Sequence, residues 1–178
     1  MPAKSSNAQY GAVGVSIHWL TAILILFQFI TGFRASGMLD SAAKADLLWF
    51  HAPVGNAILI LTIARVIWWW FFDKRPAPSG NDPHWQELAA KAVHVLFYVL
   101  IIALAASGVA MIGLSGADEV IFDGHDAPLP DFFDYGPRIP HGVGARLMAA
   151  LLILHVGAAL FHHFVRKDGT LGRMWYRQ

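Results

Sequence analysis

The sequence predicts an all-α integral membrane protein, one domain over residues 1–178, folded as a four-transmembrane-helix up-down bundle. Hydrophobic residues make up 56% of the chain and charged residues 14%, whereas an average soluble domain is about 25% charged. Charge is also missing in blocks. No Asp, Glu, Lys or Arg lies between Lys4 and Arg34, between Lys91 and Asp118, or between Arg146 and Arg166, and the segment from His51 to Phe72 carries only Arg65. Each run reaches or approaches the roughly 20 apolar residues that cross a bilayer.

Taken in order, residues 1–9 are polar and expected to fray. Helix 1 is predicted over 13–33, with His18 in its second turn and Trp19 suited to the aromatic belt at a membrane interface. Its apolar run is too long for a signal peptide and lacks a small-residue cleavage site, so it reads as a retained helix. A short connection over 34–47 contains Gly37 and mixed charge. Helix 2 is predicted over 48–72, with His51 near its start and Pro53 in its first turn, where a missing N–H costs little. Trp68, Trp69 and Trp70 at its far end read as interfacial anchors. A Pro/Gly-rich polar loop over 73–85 leads to helix 3, predicted over 88–114, and an acidic, aromatic connection over 115–139 follows. Its EVIF and DFFDY segments suit the membrane surface. Helix 4 is predicted over 140–166 and ends in a short basic tail.

Charge bias gives the orientation. The N-terminus, the loop between helices 2 and 3, and the tail hold Lys4, Lys74, Arg75, Lys91, Arg166, Lys167, Arg173 and Arg177. The other two connections hold Arg34, Lys44 and Arg138, with six acids from Asp118 to Asp134. The positive-inside rule therefore places both termini in the cytoplasm. A net charge of +1 offers no footprint for nucleic acid. The absence of cysteine excludes Cys-x-x-Cys-His haem attachment, cysteine-ligated iron–sulfur clusters and disulfides.

Histidines carry the chemistry. His141, His155 and His162 on helix 4 are separated by 14 and then 7 residues. At about 100° per residue, 14 steps fall within about 40° of four whole turns, so the three share one stripe, with His141 and His155 roughly 21 Å apart. Ionisable residues at membrane depth are costly and usually face the protein interior. With both termini inside, His18 and His155 lie at the inner level, and His51 and His141 at the outer. Two imidazoles per level fall short of the three or four protein ligands of a zinc site. Haem supplies its own four equatorial nitrogens and needs only axial ligands. The sequence thus predicts two haems, one held by His18 and His155 and the other by His51 and His141. Gly55 and Gly108 would leave room for the ring planes. Bis-histidine ligation fills both axial positions, so electron transfer is expected to be outer-sphere.

Other residues keep two readings. Arg65, 14 residues after His51, suits a haem propionate or simple snorkelling to the interface. His94 and His162 suit a quinone or propionate contact, or a plain interface position. His163 is off the stripe and suits headgroups, while His84 and His125 fall in loops.

Taken together, SIHWL around His18, WFHAPVG at His51, the His141/His155 pair and LHVGAALFHHFVRKDGTLGRM resemble the bacterial cytochrome b561 family over nearly the whole chain. Within that family the resemblance is closest to the di-haem type that oxidises superoxide. It implies an oxidoreductase of the bacterial inner membrane, with b haems on residues matching His18/His155 and His51/His141. It also implies a ubiquinone site beside the inner haem, where His162 matches a quinone-contacting histidine. Superoxide would be taken at the outer haem beside a positive surface that Arg34 matches. Cytochrome b subunits that relay electrons from a hydrogenase or dehydrogenase partner to quinone share the same plan and remain the alternative.

Overall fold

The computed structural model describes residues 2–39, 41–76, 83–124 and 127–176. His125, Arg177 and residues 77–82 of the polar loop lie outside the described residues. Described elements are all helical, with no strand. Among them, four helices are long and apolar enough to cross a membrane. They are α1 (Ala12–Gly37), α2 (Ser41–Ile67, prolonged by a π turn Trp68–Phe72), α3 (His84–Ser115) and α5 (Arg138–Phe161, prolonged by a π turn His162–Arg166). A one-turn helix, α4 (Ala117–Ile121), lies between α3 and α5.

Two boundaries differ from expectation. The connection predicted over 34–47 is almost entirely helical, because α1 runs on to Gly37 and α2 already starts at Ser41. The run Ser-Ala-Ala-Lys-Ala-Asp-Leu is rich in good helix formers, and its polarity had masked it as a loop. Pro53 therefore sits in the interior of α2, not its first turn. Its ring leaves the Trp49 carbonyl without an intrahelical donor, which spanning helices tolerate, and two residues before Pro53 the Gln28 amide donates to the His51 carbonyl at 3.0 Å. His84 likewise opens α3 instead of lying in a loop, with Pro83 before it and Glu87 in the first turn, where an acid suits the helix dipole.

Helix α1 packs on α2, α2 on α3, and α3 on α5. All four meet around Ile58, Ile101 and Met148, joined by Leu24, Ile25, Phe29, Val54, Phe97 and Leu104. Outward side chains such as Ile23, Ile60 and Ile153 are more than half exposed, as a lipid-facing surface requires. Packing contact and polar links, not exclusion of water, hold such helices together.

The two ends of the bundle close differently. At the loop end, Ala117, Ile121 and Phe132 form a buried cluster with Leu48, Met111, Ile112 and Leu129. The EVIF and DFFDY segments thus fold over the bundle rim. Gly116 makes the turn from α3 into α4 at φ +67, a left-handed conformation that glycine adopts without a Cβ penalty. At the terminal end, the N-terminal residues expected to fray are tied down. Ser5 donates from its backbone N–H and its hydroxyl to the Asp73 carboxylate at 2.8–3.0 Å. Tyr10 N–H donates to Arg173 O, and Trp19 Nε1–H to Met174 O at 2.8 Å. Desolvation pushes the Asp73 carboxyl up, but the bonds from Ser5 outweigh it and the pKa lies below the usual range.

Candidate functional site

Histidines meet at two levels. Toward the loop end, the rings of His51 (α2) and His141 (α5) have centroids 6.3 Å apart at an interplanar angle of 65°. Toward the terminal end, His18 (α1) and His155 (α5) stand 6.4 Å apart at 63°. Helix α5 contributes one histidine to each pair, and the Ile58–Ile101–Met148 core lies between the levels. The near-identity of the two pairs is informative. Metal–imidazole bonds of about 2.0–2.1 Å put two ring centres about 6.3 Å apart when one metal lies between the near nitrogens. Both pairs have this spacing, so each would accommodate a metal centre, such as that of a haem, that takes two imidazoles. Among the described residues, no group of three or more His, Cys, Asp and Glu side chains converges as a metal-ion site.

A cavity of about 710 Å³ opens beside the loop-end pair, within the range of small-molecule and cofactor sites. His51, His141, Gln28, Gly32, Gly55 and Gly108 line it, and Lys44, Arg138 and Arg146 bring positive charge to it beside the carboxylate of Asp118. Glycine matters here for close approach. A Cβ on Gly32 would stand 2.8 Å from His51 Cε1, one on Gly108 3.3 Å from His141 Cε1, and one on Gly55 2.8 Å from Gln28 Nε2. Hydroxyls hold both rings. Thr31 Oγ1 lies 3.0 Å from His51 Nδ1, and Ser107 Oγ 3.0 Å from His141 Nδ1.

The terminal-end pair is more crowded. His94 stacks edge-on against His155 with centroids 5.7 Å apart, so three imidazoles gather there. His94 Nδ1 is turned to its own helix, 2.7 Å from Ala90 O. Arg65 reaches the same cluster, with Nη1 3.5 Å from His18 Nδ1. Its Nε is buried and has no hydrogen-bond partner. A buried guanidinium N–H left open beside the pair fits a carboxylate such as a haem propionate.

His162 lies one short step further toward the terminal end and opens the π turn of α5, a feature that recurs at functional sites. Its Nδ1 lies 2.5 Å from Asp168 Oδ2, and Arg166 Nε is 3.8 Å from the same carboxylate. Desolvation pushes the Asp168 carboxyl up, but hydrogen bonds from Thr170 and His162 outweigh it and bring the pKa down to about 2. Asp168 is therefore a carboxylate that accepts from His162 Nδ1–H. His163 is exposed beside it.

Some predicted residues stand apart from the pairs. Arg34 is exposed in the last turn of α1 and does not line the loop-end cavity, where Lys44, Arg138 and Arg146 stand instead. Sequence reasoning had used Lys44 and Arg138 only for orientation. It also passed over Thr31, Gly32, Ser107, Gln28 and Asp168. One signal was visible for the first and third: a hydroxyl residue followed by glycine occurs late in both α1 and α3.

Comparisons with known proteins agree on a relationship across the chain. The family described as prokaryotic cytochrome b561 matches residues 9–177. Cytochrome b561 homolog 2 of Escherichia coli is 28% identical over 98% of this chain and 95% of its own length. Cytochrome b561 homolog 1 of the same organism is 26% identical, covering 96% and 98%. A probable superoxide oxidase CybB of Yersinia pestis is 28% identical, covering 94% and 96%. No solved structure matches the chain.

Proposed function

The chain belongs to the prokaryotic cytochrome b561 family, and is thus a multi-pass bacterial membrane protein of electron transfer that binds b-type haem; on that premise we propose that it is a superoxide:ubiquinone oxidoreductase carrying two haem b groups. The observation that carries this reading is the pair of matched histidine couples, 6.3 and 6.4 Å apart and joined by one helix. Two levels on α5, roughly 21 Å apart along its axis, connect opposite ends of the bundle. When bound, haem b would supply a reversible one-electron couple.

The chain's own residues supply the rest. His51 with His141, and His18 with His155, present paired imidazoles across a flat slot. The open Arg65 Nε–H would hold a propionate and keep that charge within the bundle. Lys44, Arg138 and Arg146, with Arg34 on the adjacent helix end, draw an anion such as superoxide to the loop end. At the terminal end, Asp168 accepts the Nδ1–H of His162, and when that imidazole takes up a second proton its Nε2–H donates to a quinone carbonyl and passes the proton on. His94 borders the same level. The Lys and Arg bias supports an orientation in the inner membrane with the termini in the cytoplasm and the loop end outside.

The purified protein should reduce a soluble ubiquinone when superoxide is generated around it, and stop on addition of superoxide dismutase. One observation favours a second reading. Asp118, Asp123, Asp131 and Asp134 are exposed around the loop end and would suit a partner protein as electron donor, such as a hydrogenase or dehydrogenase. Quinone reduction only with a co-purified donor would favour that reading and overturn the first.

A further inference from the structure

We propose that Thr31–Gly32 on α1 and Ser107–Gly108 on α3 are two matched seats that set the ring plane and tautomer of His51 and His141, with Thr31 and Ser107 as positioning residues. The inference rests on reading those two histidines as axial ligands. It begins with one proton. A hydroxyl carries a single hydrogen, and a backbone carbonyl can only accept. Thr31 Oγ1 lies 3.0 Å from Phe27 O and 3.3 Å from Gln28 O, so its hydrogen goes to its own helix. Such back-bonding is a usual resting place for a hydroxyl inside a helix. The oxygen lone pair is then what faces His51 Nδ1 at 3.0 Å. Nδ1 must therefore carry the imidazole hydrogen, and Nε2 keeps the lone pair that a metal needs.

A closely similar geometry is built a second time, with the Leu104 carbonyl as a further partner of His141. Ser107 Oγ lies 2.7 Å from Ala103 O and 3.1 Å from Leu104 O, and 3.0 Å from His141 Nδ1. In each case the residue after the hydroxyl is glycine, and in each case its missing Cβ makes room for Cε1 of that same imidazole. The hydroxyl fixes the hydrogen, and the bare backbone fixes the plane. At the terminal end His18 Nδ1 instead faces Arg65 Nη1, a donor where Thr31 and Ser107 offer acceptors. An acceptor on Nδ1–H makes Nε2 a stronger donor to a metal, which would favour the oxidised state of an iron held there.

Redox titration and low-temperature electron paramagnetic resonance of the purified haem-loaded protein test this, with Thr31→Val, Ser107→Ala and the conservative Thr31→Ser. Thr31→Val and Ser107→Ala should each raise the midpoint potential of one couple and shift one low-spin signal. Each should also weaken retention of one haem by roughly tenfold. Thr31→Ser should match the unmodified protein, and the undisturbed second couple reports that the bundle is folded. Unchanged potentials and signals in both Thr31→Val and Ser107→Ala would overturn the seats. His51→Ala and His141→Ala separate the two levels of the argument. If both keep a full haem complement, the ligand assignment fails and the seats with it. If both lose a haem while the hydroxyl variants change nothing, the seats alone fail.

Discussion

Replacing Gly32 by alanine tests the loop-end site at atomic resolution, because its twin on α3 serves as a graded control. A Cβ on Gly32 would stand 2.8 Å from His51 Cε1, and ordinary contact begins at 3.4 Å, so the ring must retreat by about 0.6 Å. Metal–ligand bonds hold their lengths to about 0.2 Å, so that retreat is about three times what a bond absorbs. A Cβ on Gly108 would meet His141 Cε1 at 3.3 Å, a deficit of about 0.1 Å that lies within tolerance. The helix itself gains from either change, since alanine is favoured over glycine by about 1 kcal/mol in a helix interior. Any loss is then due to the contact and not to unfolding of α1. Gly32→Ala should weaken haem binding at this level by roughly tenfold or more, the range seen when ligand-supporting groups are lost, and expose a high-spin signal. Gly108→Ala should keep its haem. Pyridine-haemochrome assay per chain, with electron paramagnetic resonance, reads both outcomes. Equal haem content in the two variants, or a greater loss with Gly108→Ala, would refute the geometry.

Four further outcomes follow from other parts of the molecule. His162→Ala should keep both haem signals and their reduction by superoxide, yet slow reoxidation by ubiquinone in stopped-flow measurements, whereas Arg34→Ala should slow the superoxide step, with the loss shrinking as salt screens the attraction. The Asp168 carboxyl has its folded pKa lowered from 3.8 to about 2, so its contribution to tail docking is complete above about pH 3.8 and is lost as pH falls through about 2. Protection of the Thr170 amide, which donates to Asp168 Oδ1 at 3.0 Å, should fall relative to its intrinsic exchange rate across that window and be low at every pH in Asp168→Ala. A reporter active only outside the cytoplasm should work when fused after Gly124 and not after Gln178; activity at the second site would reverse the orientation.

How much could be read from the chain alone depended on whether one helix carried the information. The four spans were legible because each is a nearly uncharged run. The stripe from His141 to His155 was legible because both lie on one helix with a fixed rise and rotation. Pairing by depth then brought His18 to His155 and His51 to His141, as the structure also juxtaposes them. What escaped depends on how one helix is turned against another. Nothing in the sequence of α1 says that the Thr31 hydroxyl meets a ring on α2, or that Gly32 is the residue that ring rests against. The approach of Asp168 to His162 needs the left-handed turn at Lys167, φ 52, which sequence periodicity does not reveal. The start of α2 was missed for the opposite reason: helix propensity at 41–47 was present but carried no apolar run, and hydropathy was the signal being followed.

Haem stoichiometry in single-histidine variants tests most directly whether α5 serves two separate sites. The unmodified protein should carry two b haems per chain. His51→Ala and His141→Ala should each lose one and the same haem, identified by its potential and its low-spin signal, while His18→Ala and His155→Ala should each lose the other. One haem per chain in the unmodified protein, or depletion of the same haem by His18→Ala and His51→Ala, would contradict the account.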